Sequence, residues 1–263
     1  MNKFYIQIFF FLLSVSVYLN NKILATEPVP EENASTISKN NYATSEEIYE
    51  KNKELLCTKP EEIKNAEKLM NEATIHLIDH ARSKDGYRFV ANDPLNNLYL
   101  YKKKHTGHTQ VKKYIYGVSG PNKYNETIDE FWDPDCISFL DNKSAKRKIV
   151  RVYNPNLVII QQRYKGSIMG RHKYFYALAK KTQISEDKTV IVMSSANIID
   201  HHPSKKEYKN TIVESANLFT TEIDSEEDIR KGKLKKMFVN IAGYIIEKRV
   251  NCVDITYIKS IND

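Results

Sequence analysis

Residues that punctuate or staple a backbone are scarce in this chain: its 263 residues include 8 glycines, 8 prolines, 3 cysteines and 1 tryptophan. So little glycine and proline excludes collagen-like and low-complexity chains, and three cysteines are too few for a disulfide-stapled miniprotein. Common catalytic signatures are missing too. There is no G-x-S-x-G, no P-loop, no G-x-G-x-x-G and no H-E-x-x-H, and no Cys or Cys/His spacing suited to a zinc site. What is present is globular: 41% hydrophobic residues, 28% charged, and 17 tyrosines with 10 phenylalanines. Rings with polar tips suit half-wet surfaces and cavities.

Long apolar runs are confined to the start. Lys3, the stretch from Phe4 to Leu19, and Leu24-Ala25 before an acidic segment read as a secretory signal over residues 1–25, too short for a membrane anchor. Its removal takes away Lys3 and Lys22 and lowers the formal charge from +7 to about +5. Residues 26–43 have the composition of a solvated linker. In an oxidising route Cys57, Cys136 and Cys252 allow at most one internal disulfide, and spacing does not choose the pair.

Residues 44–263 read as one domain. Thr44-Ser45-Glu46-Glu47 is a helix start, and Pro60-Glu61-Glu62 opens a longer helix whose stripe is Ile63, Ala66, Leu69, Met70, Ala73, Leu77 and Ile78. After Gly86 the period changes to that of strands: Tyr87–Val90, Leu98–Lys104, Gln110–Val118, Arg147–Tyr153, Leu157–Tyr164, His172–Thr182, Thr189–Ala196, two runs within Thr211–Ile246, and Cys252–Lys259. Pro121 to Asp133 is helix-like, and Pro134 to Ser144 is read as a second short helix or loop. Tight hairpins are expected at Tyr153-Asn154-Pro155-Asn156 and at Ser185 to Lys188. The fold class is therefore α+β. An N-terminal helix packs on a curled antiparallel sheet of eight or nine strands, interrupted after the third, and the curl makes a groove for a ligand.

The chemistry of an enzyme is not legible. His76 and His80 share a helix face without the glutamate of a metalloprotease, and His201-His202 before Pro203 suits a turn. No metal and no nucleotide cofactor is expected. Basic clusters at Lys102-Lys103-Lys104, Lys112-Lys113, Lys146-Arg147-Lys148, Lys205-Lys206 and Lys231 to Lys236 fit transient contact with a headgroup surface better than nucleic acid, for which no motif appears. Oligomeric state is not encoded in any visible pattern. For a lipid cavity, alternation gives two choices on the fourth strand: Ile149, Arg151 and Tyr153 face inward, or Val150 and Val152 do. On the sixth, Tyr174 and Tyr176 share a face with Leu178.

Two stretches resemble a known family. Trp132-Asp133-Pro134, Arg151-Val152-Tyr153, Gly170-Arg171 before Tyr174-Phe175-Tyr176, and Gly243-Tyr244 leading to Val253-Asp254-Ile255 are similar to the START lipid-transfer domain. Ser45 to Lys53, Asn65 to Ala73 and Pro203 to Asn210 resemble the Fam-A proteins of rodent malaria parasites. The resemblance implies a helix-grip fold, a secreted or exported protein, and binding and transfer of a phospholipid, phosphatidylcholine for the family. It adds Arg171 and Asp254 as polar spots in a cavity, beside Trp132, Arg151, Tyr153, Tyr174 and Tyr176. START domains end in a lid helix, whereas this sequence stops at Asp263 after its last strand, so an open cavity that holds lipid poorly is expected. The alternative is a basic surface module that docks on anionic membranes or a partner without carrying lipid.

Overall fold

The computed structural model describes residues 42–106, 109–136, 145–166, 170–204 and 208–262. The signal segment, most of the linker, residues 137–144 of the expected second short helix and residues 205–207 lie outside them. Helix α1 (Ser45–Lys51) begins with a capping box. Thr44 N–H donates to Glu47 Oε2 at 2.8 Å, and Glu47 N–H donates to Thr44 Oγ1 at 3.3 Å. These are the reciprocal bonds that its Thr-x-x-Glu spacing requires. Helix α2 (Pro60–Arg82) buries Ala66, Leu69, Met70, Ala73 and Leu77 as the stripe predicts, with Thr74 beside them. Thr74 is compatible with that burial because its hydroxyl donates to Met70 O at 2.7 Å.

Twelve strands follow among the described residues: β1 (Arg88–Asp93), β2 (Leu98–Lys104), β3 (Gln110–Ser119), β4 (Lys146–Asn154), β5 (Leu157–Tyr164), β6 (Lys173–Ser185), β7 (Lys188–Ser194), β8 (Asn197–Ile199), β9 (Thr220–Glu222), β10 (Lys235–Lys236), β11 (Phe238–Lys248) and β12 (Cys252–Asn262). A 3₁₀ turn at Pro121–Lys123 and helix α3 (Tyr124–Trp132) interrupt them after β3, and the short helix α4 (Glu227–Arg230) precedes β10. Nine strands form an antiparallel path in the order β1-β2-β3-β12-β11-β7-β6-β5-β4. The tenth strand of this sheet, β10, pairs parallel to β6, and β8 and β9 make a separate parallel pair. The sheet is thus larger than expected and not wholly antiparallel. Strands of two or three residues carry no period that a sequence can display.

The sheet separates two cores. Helix α2 covers one face, packing on Leu157, Ile159, Leu178, Val190, Val192, Ile241 and Ile258. Helix α3 lies on the other, with Val158, Ile160, Ala177, Ala179, Ile191, Tyr244 and Tyr257. The central strands β5, β6, β7 and β11 therefore bury both faces, which is why β5 and β7 are nearly continuous apolar runs. At Gly243 a Cβ would lie 2.2 Å from Ile191 O, so the approach of β11 to β7 demands glycine. All three cysteines are free thiols.

Candidate functional site

The α3 face holds a small apolar cavity. Phe131, Trp132 and Pro134 form one side, and Ile149, Val158, Ile160, Ala179, Ile191, Met193 and Tyr244 the other, around a volume of about 20 Å³. Its walls are enclosed: Ile160, Ile191, Met193 and Tyr244 are 4, 3, 6 and 3% exposed, where an open, lidless cavity would leave them wet. Helix α3 is held by Phe131 stacking on Tyr244 at 4.2 Å and by the Tyr124 hydroxyl at 2.9 Å from Thr189 Oγ1. Asp133 fastens the corner, accepting from Ala43 N at 3.1 Å and from Asp135 N at 2.8 Å. The buried Trp132 indole N–H meets no acceptor among the described residues. An unsatisfied buried donor of this kind costs about 1–3 kcal/mol.

A polar chain leads away along the same face. Arg147, which lines the cavity, donates from Nε to Gln162 Oε1 at 3.0 Å, and Gln162 Nε2 donates to the Tyr164 hydroxyl at 2.6 Å. Tyr164 is already in the wall of a second, open groove of about 820 Å³. Basic residues dominate that wall: Lys165, Arg171, Lys173, Lys235 and Lys259, with Met237 and Ile261 as apolar floor. Its size lies within the usual range for ligand clefts, about 300–1,000 Å³. Burial, and then the charges of Lys102 and Lys259, pull the neighbouring Lys112 amine below its ordinary pKa.

Of the seven residues expected in the site, the structure places Trp132 at the apolar cavity and Arg171 in the basic groove. Tyr174 and Tyr176 belong to the α2 core. The Tyr174 hydroxyl donates to Asp200 Oδ2 at 2.8 Å, and that of Tyr176 accepts from Gln161 Nε2 at 2.6 Å. Asp254 follows the opposite alternation to cavity-face Val253 and Ile255, and receives Arg249 Nε at 2.9 Å. Arg151 and Tyr153 also turn toward α2: Arg151 Nη1 and the Tyr153 hydroxyl donate to Glu62 Oε1 at 2.7 and 2.8 Å.

The physical reason on β4 is a pair of bulges. Its register against β5 slips between Ile149 and Arg151 and again between Val152 and Asn154. Each extra residue reverses the alternation. Ile149 and Val152 face the α3-side core, while Val150, Arg151 and Tyr153 turn to the other side, so neither unbroken alternation holds along the strand. Arg147, two residues before Ile149 and in phase with it, is the arginine at the cavity. Extending the period backward from Ile149 would have found it.

No protein-family model matches the sequence, and no curated relative does. Solved structures do. Human StAR-related lipid transfer protein 5 aligns over 75% of this chain and 82% of its own, at 10% identity and a TM-score of 0.52. Human STARD10 aligns over 72% of this chain and 66% of its own, at 10% identity and a TM-score of 0.44. The lipid transfer and protein localization domain of human StarD13 (DLC2) covers 71% and 79%, at 13% identity and 0.42. The fold is a START-like helix grip, an α+β architecture with one large sheet.

Proposed function

We propose that this chain is a non-enzymatic phospholipid carrier that needs no metal or nucleotide. One observation carries the reading. On one face of a START-like sheet, a hydrogen-bonded chain joins an apolar cavity to a wide basic groove, the two environments that acyl chains and a phosphate require. In the present conformation the apolar cavity has room for about one water. Uptake of an acyl chain therefore requires α3 to shift from the sheet, breaking the Phe131–Tyr244 stack. The motif resemblance supports a Fam-A-type protein, secreted or exported, with phosphatidylcholine as the first lipid to test and membranes as transient docking partners.

The test is mass spectrometry of lipid that co-purifies with the protein, together with transfer of phosphatidylcholine between vesicles. Bound lipid and transfer are expected. A protein that is empty and inactive with every phospholipid overturns the reading in favour of a basic surface module. Salt discriminates further, because docking by exposed charge weakens with screening whereas enclosed lipid stays bound.

A further inference from the structure

We propose that β1 is the contact edge of a homodimer, in which two copies of this chain pair β1 antiparallel to β1 across a twofold axis. The inference concerns a strand that lines neither the cavity nor the groove, and it stands whether or not the protein carries lipid.

The first observation is the contrast between the two edges of the sheet, β1 and β4. The β4 edge is guarded. Leu56 forms a parallel bridge with Val152, Cys57 N–H donates to Val152 O at 2.8 Å, and the strand opens on three cations, Lys146, Arg147 and Lys148. Covering and charge of this kind keep an edge from pairing. Strand β1 has no strand on its outer side, no proline and no lysine, and five of its six residues are exposed. Its one protection is a bulge, the slip of register between Phe89 and Ala91 that leaves Val90 off the β2 ladder.

The second is apolar surface. Of the nine large apolar side chains exposed among the described residues, five lie in the β1–β2–β3 corner: Phe89, Val90, Leu95, Tyr99 and Ile115. Phe89 and Val90, 57 and 43% exposed, stand on β1 itself. Apolar side chains gathered in one place on a surface mark an interaction site.

The third is charge, and it selects the partner. Arg88 and Asp93 occupy opposite ends of β1, and Arg88 makes no ion pair among the described residues. Asp93 accepts from Leu95 N at 3.1 Å and from Asn96 Nδ2 at 2.7 Å. A carboxylate has about four acceptor positions, so room remains for a guanidinium. A twofold axis between Val90 and Ala91 puts Arg88 of each copy opposite Asp93 of the other, Phe89 opposite Asn92, and Val90 opposite Ala91. Opposite charges facing each other across strands stabilise a sheet, whereas parallel self-pairing would set Arg88 against Arg88 and Asp93 against Asp93. A strand complementary in charge to its own reverse fits a second copy, as an isologous interface requires. Its six residues a side fall well short of the roughly 20–30 of a standard interface, so a weak dimer is expected, with a Kd on the order of 100 μM.

Sedimentation equilibrium of the protein, over a concentration series that brackets this value, should show monomer and dimer in exchange. Arg88→Asp and Asp93→Lys are each expected to weaken self-association about tenfold, because both opposed pairs turn from attraction to repulsion. Mixing the two variants should restore it, since every opposed pair in the mixed dimer is again of opposite sign. Val90→Lys sets a cation on the edge itself and should abolish the dimer. Its side chain is exposed, so the fold is kept, and this variant decides the matter if Asp93→Lys disturbs its turn. A protein that stays monomeric throughout overturns the inference, and so does a dimer that Arg88→Asp and Val90→Lys leave intact. Failure of the mixture to associate, with both variants folded, overturns the antiparallel register and the proposal with it. Monomers that bind anionic vesicles through this edge, and lose that binding in Val90→Lys, would make it a membrane contact and overturn the dimer.

Discussion

The two faces of the sheet use the same residue types to opposite ends. On the α2 face, charge closes on itself. Glu62 receives Arg151, Tyr153 and Thr221, Asp200 receives Tyr174 and Lys236 at 2.8 Å each, and Arg163 grips Asp228 with two bonds of 2.7 and 3.0 Å. On the α3 face, Lys165, Arg171, Lys173, Lys235 and Lys259 gather along one open groove. A buried arginine or tyrosine is thus no sign of a ligand site until its partners are known. Polar groups paired inside a packed core mark scaffold, whereas a wide groove lined by side chains marks a place that a ligand can enter.

The largest effect that tests this division lies in the scaffold. Leu77 is fully buried between α2 and the sheet. Leu77→Ala is expected to lower unfolding free energy in urea by about 2–5 kcal/mol without changing which lipid is bound. A loss below about 1 kcal/mol would mean that the α2 face is not the stabilising core.

Acidification should expose the scaffold in two windows. His80 is pulled down to about 4, chiefly by burial and then by His105 and nearby lysines, while its ring Nδ1 sits 3.0 Å from the Tyr87 hydroxyl. The unfolded chain binds that proton more readily. The stabilising contribution is therefore complete above pH 6.5 and fades as pH falls toward 4, amounting to no more than roughly 3 kcal/mol. Burial raises the Glu226 carboxyl, but hydrogen bonds from Lys148 and Gln161 outweigh it and bring it to about 2. Its contribution is present above the ordinary value of 4.5 and fades below it. Unfolding midpoints across this range should show His80→Gln flattening the upper window and Glu226→Gln the lower. Unchanged slopes in both variants would count against these environments.

Much of this fold was legible because its signals are local and repeated. The ends of β2 and β5, the start of α2 with its stripe, and both hairpins follow from period and turn chemistry. The stretch from Ser195 to Met237 was not legible, since its order depends on distant partners. Asn210 is fully buried there, its Oδ1 accepting from Ile212 and Val213 at 3.0 Å and its Nδ2 donating to Asn240 O at 2.8 Å. The candidate site was legible only at Trp132 and Arg171. The bulges on β4 decide where Arg151 and Tyr153 point, and nothing in the alternation announces a bulge.

A paired comparison of arginines measures the division directly. Arg147→Gln removes a cation from the cavity and is expected to reduce lipid loading by about tenfold, the loss of one charge-assisted hydrogen bond, with little change in stability. Arg151→Gln leaves Glu62 partly buried without its guanidinium, and should lower stability by about 1–3 kcal/mol while loading persists. Lipid loading by co-purification and midpoints in urea separate the two; the opposite pattern would exchange the roles of the faces.

The smallest effect is expected at Asp254, which the START resemblance puts inside the cavity and the structure puts outside it. Its side chain is 49% exposed and pairs with Arg249, itself 54% exposed, beside the β11–β12 hairpin. Exposed pairs of this kind contribute about 0–1 kcal/mol, because solvent screens them and two long side chains must be ordered. Asp254→Asn keeps shape and removes charge, so stability should shift by less than about 1 kcal/mol and lipid loading should not change at all. The carboxylate also lies opposite Gly117 on β3, where no side chain competes for it. If loading instead falls as far as in Arg147→Gln, the alternation of β12 has been read on the wrong side, and the resemblance, rather than the register, locates the polar spot of the cavity.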